Sequence, residues 1–204
     1  MIKEKKTLNE VTIQHIKKSL KSASQKSVIT LINACMGYNN KIHYIEGLEY
    51  LVKFIVKAVH DESLAFAFMI GFIERLELDN VKLRIYQLNR LLYTYLPNLV
   101  EHFKLLDIDI MTFCVRIVFG LFKGTDTNFL MQMLTHTLSF SWKTLFTLTL
   151  NLLKRNQGHL LSLNSKEVLQ FVLDTVWKED VKVSNWVLEE LELEYDEIVN
   201  NELC

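Results

Sequence analysis

A chain of 204 residues is long enough for one well-buried core, and its length alone does not call for a second domain. Half of the residues are apolar and the formal net charge is −1. That balance excludes a disordered tail and argues against a protein that holds polyanions by bulk charge.

The basic residues follow no stripe and build no helix-turn-helix, finger or RNP motif, so nucleic acid is not an expected partner. One proline and six glycines are few for this length. Sheet-rich domains need many turn residues, so the scarcity predicts long helices joined by short loops. Cys35, Cys114 and Cys204 have neither metal-ligand spacing nor a disulfide framework. That suits a reducing, cytoplasmic compartment and leaves association with an organelle or large assembly open. The start, MIKEKKTLNE, is charged and polar, and no signal peptide is expected.

In chain order, helical periodicity predicts helices over 9–20 and 26–37, separated by the polar stretch KSASQKS. A third is expected from about Tyr44 to Val59. Asp61 is placed to cap a fourth, running to Leu76. The longest apolar run, Leu64 to Ile73, lies inside that fourth helix. It is too short to span a bilayer, which needs roughly 18 to 20 residues, and reads as a helix buried on all sides.

Asp79 or Asn80 opens a fifth helix, with Ile85, Leu88, Leu92 and Tyr95 on one face. Pro97 cannot continue that helix but suits the first turn of the next, over about 97–106. Asp109 is expected to cap a helix through Phe122, ended by Gly124. Asp126 starts another to about Leu138. Ser141 precedes a helix to Arg155 that stops near Gly158. Asn164 and Glu167 have capping-box spacing for a helix to about Lys178, and a last segment runs from Ser184 to about Ile198. No strand pattern competes.

Charge is uneven at the ends. The first 26 residues carry seven lysines against two acids, while Glu189 to Glu202 is acidic without a basic residue. Two solvated faces account for this; the sharper reading is that the ends attract each other or dock on partners of opposite sign. An anionic membrane surface would repel such a tail.

Several segments, taken in order, carry a family resemblance. Tyr38-Asn39-Asn40-Lys41-Ile42-His43-Tyr44-Ile45-Glu46-Gly47 resembles Y-N-P-x-[VI]-G-Y-x-Q-G. Asp61-Glu62-Ser63-Leu64-Ala65-Phe66 resembles D-E-x-x-A-F. Leu96-Pro97-Asn98-Leu99, His102-Phe103 and Asp107-Ile108-Asp109 resemble L-P-x-L…H-F…L-x-I-D. Phe119 to Phe122 stands where an F-x-x-L-F-type helix is expected. Trp142-Lys143-Thr144-Leu145-Phe146 with Leu152-Leu153-Lys154 resembles G-x-x-x-L-F…L-L-K. Across about residues 27–157 the chain is thus similar to the C-terminal two-thirds of the TBC domain, the Rab GTPase-activating fold.

The resemblance implies an all-α fold, a right-handed stack of about ten to eleven helices. It also implies relatives that act on small GTPases of the Rab class in vesicle trafficking. On that basis 1–26 is a basic N-terminal helix region and 27–160 the TBC-like core. Residues 161–204 are C-terminal helices with an acidic tail, in the same domain.

The family's chemistry inserts an arginine that neutralises charge developing around the γ-phosphate and a glutamine that positions the attacking water. The glutamine of Y-x-Q-G is Glu46 here, which has lost the amide donor and brings negative charge towards a triphosphate. The arginine belongs to an earlier I-x-x-D-x-x-R motif. Its nearest counterpart, Val11-Thr12-Ile13-Gln14-His15-Ile16-Lys17, has neither the aspartate nor the arginine, and the first arginine of the chain is Arg75. Lys17 supplies charge without the planar fork of donors. Leu134-Thr135 stands where the family's tryptophan-aspartate pair is expected. With 43 residues before Tyr44, the family's N-terminal helices and their R-x-x-x-W signature are also missing.

The expectation is therefore a degenerate module without GTPase-activating catalysis or cofactor. Its binding-groove candidates are Tyr44, Glu46 and Gly47, with Lys17 a weak substitute finger. The partner is a protein, either a small GTPase or a member of a larger complex. Two readings compete with a binding or scaffold role. One is an active GTPase-activating protein with atypical fingers. The other is a structural subunit whose groove is filled by its own N-terminus or by a neighbour.

Other chemistry is sparse. Six histidines are scattered without an i, i+4 ligand pair, so no metal is expected. His60 beside Asp61-Glu62 reads as a helix boundary. Gly120-Leu121-Phe122-Lys123-Gly124-Thr125 lacks the Walker glycine-lysine pair. Phe66, Phe68, Phe72, Phe113, Phe119 and Phe122 read as core. The carboxylates Glu189, Glu190, Glu192 and Glu194 lack the pocket that acid–base work needs. Trp177 and Trp186 are either packing groups or a docking surface.

Overall fold

The computed structural model describes residues 7–20, 25–39, 42–123 and 127–171. Among them are eleven α-helices, two short 3₁₀ turns and no strand. The chain divides into two compact units, Met1–Asp79 and Asn80–Cys204.

The first unit holds α1 (Glu10–Ser19), α2 (Gln25–Tyr38), α3 (Leu48–Ala58) and α4 (Glu62–Arg75). Helix α1 starts where the Asn9 side chain accepts from the Thr12 amide at 2.8 Å. The Leu8 amide donates to Asn33 Oδ1 at 2.8 Å, which ties the entry of α1 to α2. Gln25 Nε2 donates to the carbonyls of Lys17 and Leu20, satisfying acceptors that the end of α1 leaves open. Asp61 caps α4 through the Leu64 amide at 2.8 Å. Ile16, Leu20, Val28, Ile32, Leu51, Val52, Ile55, Met69 and Phe72 form the core.

Two expectations for this unit need correction. Helix α3 begins at Leu48 and not at Tyr44, because Gly47 has φ 98°, a left-handed conformation that breaks the helical path. Helix α4 is not buried on all sides: Leu64 is 61% exposed, and Ala67 and Gly71 are exposed as well. Its inner face packs on α2 and α3, and an unbroken apolar run on a helix must turn part of itself outward. Phe66 and Phe68 are only half-buried, and Phe66 meets Tyr38 edge-on at 5.8 Å.

The second unit holds α5 (Val81–Tyr95), α6 (Pro97–Leu105), α7 (Ile110–Gly120), α8 (Thr127–Phe140), α9 (Trp142–Arg155), α10 (Gln157–Leu160) and α11 (Ser165–Gln170). The 3₁₀ turns are Leu78–Asn80, before α5, and Leu121–Lys123, after α7. Pro97 occupies the first turn of α6. Asp109 caps α7 by accepting from the Met111 and Thr112 amides and the Thr112 hydroxyl. Asn164 and Glu167 form the full capping box of α11.

Helix α9 is the hub, packed against α5, α7, α8 and α10 and buried nearly all round. Trp142 sits against Phe119 and Phe146, with centroids at 6.3 and 5.6 Å, and Phe103 against Phe113 at 4.7 Å. The aromatic residues Phe72, Phe113, Phe119 and Phe122 are core, as their spacing predicts.

Gly158 does not stop α9. Asn156 ends it, its side-chain amide donating to the Leu152 carbonyl at 2.8 Å, and Gly158 falls inside the short α10. Helix α7 stops at Gly120 and tightens into the 3₁₀ turn that contains Phe122. Gly124, Asp126, Trp177, Trp186 and the acidic segment from Glu189 lie outside the described residues.

Candidate functional site

Residues 42–47, the end of the motif that begins at Tyr38, lie between α2 and α3. Ile42 and Ile45 are buried, which fixes the turn to the core, while Tyr44 is half-buried and Glu46 exposed. Gly47 is the residue before α3. Its left-handed φ is a conformation that L side chains rarely adopt, so glycine is required there.

One residue holds this turn, and sequence reasoning missed it. Glu49, the second residue of α3, is fully buried. Its Oε2 accepts from the Tyr44 hydroxyl at 2.7 Å and from the Gly47 amide at 2.9 Å. The first turn of α3 also favours a carboxylate through its unpaired amides. Burial, and then the charge and hydrogen bond of Glu49, push the Tyr44 phenol above its ordinary range, so it remains a donor. The sequence does contain a signal: Glu49 falls among Leu48, Leu51, Val52 and Ile55, on the apolar side of its helix. A charge on a buried face calls for partners.

The second carboxylate oxygen of Glu49 lies 3.7 Å from His15 Nε2, an ion pair when the imidazole is protonated. This contact brings α1 beside the turn. Lys17 is exposed in the last turn of α1. Residues two apart on an α-helix stand about 200° apart, so the face that turns His15 towards Glu49 turns Lys17 away from it. Arg75, the only arginine of the first unit, is in the last turn of α4.

A separate cleft of about 560 Å³ opens among α2, α3 and α4. Leu31, Ala34, Val56, Val59 and Phe66 line it, with His60 and Lys57 also contributing. None of Tyr44, Glu46 and Gly47 lines it. His60 thus borders a cleft while its neighbour Asp61 does the capping.

Among the described residues no helix is long and apolar enough to cross a membrane. No curated protein matches the chain. The model of the Rab-GTPase-TBC domain matches residues 6–161, a span that contains all the segments carrying the family resemblance. An all-helical chain matched over most of its length by that model belongs to the Rab-GTPase-TBC domain family.

Proposed function

We propose that this chain is a TBC-fold protein-binding module without GTPase-activating catalysis, one of whose partners is a small GTPase of the Rab class. One observation carries the reading: Glu46, exposed beside the left-handed Gly47, stands where the family's motif has glutamine. A carboxylate there cannot donate to an attacking water and opposes the build-up of negative charge on a transferring phosphoryl group. No arginine in the first unit precedes Arg75, and the counterpart of the family's arginine is Lys17. An arginine finger is worth roughly a thousandfold or more in rate, so loss of both groups leaves little catalysis.

A catalytic reading through Lys17 has geometry against it. The helix face that offers His15 to Glu49 directs residue 17 elsewhere. A role as a subunit of a larger assembly is compatible with the same helical surfaces and differs only in the partner.

The test is single-turnover GTP hydrolysis by a panel of Rab-type GTPases with and without the full chain. Rates within about twofold of intrinsic hydrolysis are expected. Stimulation beyond about tenfold, lost on changing Glu46 or Lys17, overturns the non-catalytic reading. An affinity capture scored for a GTPase against a stable multisubunit complex identifies the partner.

A further inference from the structure

The cleft among α2, α3 and α4 is a formed hollow that the motif turn does not use. Helix α2 faces the corner where α3 ends and α4 begins, and it does so with the small side chains Ser27, Thr30 and Ala34 set around the buried Leu31. These four positions share one helical face and run about 10 Å along it. Their shortness leaves about 560 Å³ open. The opposing corner is fixed at both helix ends. The Val59 amide closes α3 on the Ile55 carbonyl at 2.8 Å, and Asp61 caps α4 through the Leu64 amide at 2.8 Å. A preformed hollow of this volume with apolar walls is of the kind that takes small molecules.

The lining narrows the ligand. Leu31 and Ala65 are buried and Val56, Val59 and Phe66 half-buried, so the interior of the cleft is apolar. Five polar side chains border it that can donate a hydrogen bond, namely Ser27, Thr30, Lys57, His60 and Ser63. Among the described residues none of these five side chains has a hydrogen-bond or ion-pair partner. Glu62 is the one bordering side chain that can only accept, and it stands in the first turn of α4, where the helix start stabilises its charge. An apolar interior bordered by donors and an ammonium complements an apolar body that ends in one anionic acceptor.

We infer that this cleft binds a small amphiphilic carboxylate. The hydrocarbon body lies between α2 and the α3–α4 corner, and the carboxylate head pairs with Lys57. Every lining residue belongs to the first unit, and Tyr44, Glu46 and Gly47 are not among them. The inference is independent of GTPase binding and of GTP hydrolysis, so its test and the hydrolysis assay fail separately.

The experiment is isothermal titration calorimetry of the full chain with decanoate, kept well below its micelle-forming concentration. Decyltrimethylammonium, with the same hydrocarbon length and the opposite charge, is the matched control. Saturation at one site with a Kd of about 10–100 μM is expected for a ligand of this size. The cationic probe should bind at least about fivefold more weakly, and the exposed substitution Lys57→Glu should weaken decanoate by a similar factor. Ala34→Trp, also exposed, fills the hollow from α2 and should abolish binding while far-UV circular dichroism stays unchanged. Three results overturn the inference. One is the absence of saturable decanoate binding. Another is equal affinity for the two probes, or an undiminished affinity in Lys57→Glu, either of which removes the carboxylate from Lys57. The third is a well-folded Ala34→Trp variant that binds as the parent does, which places the ligand elsewhere.

Discussion

At the scale of single residues, Glu49 is the most consequential side chain in the candidate site. Removing it as Glu49→Ala leaves the Tyr44 hydroxyl and the Gly47 amide without their acceptor. Buried donors left unmade are costly, and a loss of about 2–3 kcal/mol in unfolding free energy is expected from urea titration. Glu49→Gln keeps an acceptor oxygen and should cost about 1 kcal/mol. An alanine variant as stable as the parent would show that the carboxylate does not hold the turn. The two described cysteines make a second residue-scale case. Burial pushes the Cys35 thiol up to about 11 and the Cys114 thiol up to about 12. Both therefore stay protonated at neutral pH, where the thiolate is the reactive species. Iodoacetamide labelling mapped by mass spectrometry should leave Cys35 and Cys114 unmodified at pH 7.5 until denaturant is added.

At the scale of elements, the helix starts were the most legible feature of the chain. Asp61, Asp109 and Asn164 each combine a short polar side chain with a following helical pattern, and each makes its capping bond; Asn9 caps α1 in the same way, although the periodicity over 9–20 places it inside that helix. Such caps are local, so sequence suffices to find them. Stops and one start were less legible because they depend on backbone conformation and tertiary contacts. Gly158 was read as a terminator but lies within α10, and the onset of α3 waits for the left-handed Gly47 held by Glu49.

Asp109 gives the pH-dependent test. The Thr112 hydroxyl holds its carboxyl below the usual range against the opposing effect of burial, with the backbone amides of Thr112 and Met111 adding to the lowering. A depressed folded value means that the stabilisation is present above the unfolded value near 3.9 and is lost as pH falls through the folded value. Asp109→Ala should therefore cost about 1 kcal/mol at pH 7 and progressively less below about pH 4. Urea midpoints of the variant and parent across that range check it. A difference that does not shrink on acidification would mean that the side chain acts by packing.

At the scale of the whole molecule, the ordering of motifs made the family legible, because apolar helices match one another singly but rarely in a fixed order. The turn before α3 was only half legible. The left-handed conformation of Gly47 is one that its residue type favours, whereas the contact of α1 with the turn through His15 is a tertiary fact.

That contact sharpens the outcome of trying to restore catalysis. Changing Glu46 to glutamine removes the opposing charge and returns the amide donor, yet it supplies nothing to neutralise the γ-phosphate. On the proposed reading the chain lacks an arginine finger, a group worth about 10³ or more in rate, so Glu46→Gln alone should leave single-turnover hydrolysis within about twofold of the intrinsic rate. Adding Lys17→Arg should change little further, because a longer or better-forked donor at position 17 still projects from the side of α1 opposite to His15. If the double variant instead accelerates hydrolysis more than about tenfold, α1 must rotate or shift when a GTPase binds, and the chain would be a latent catalyst lacking only its side chains.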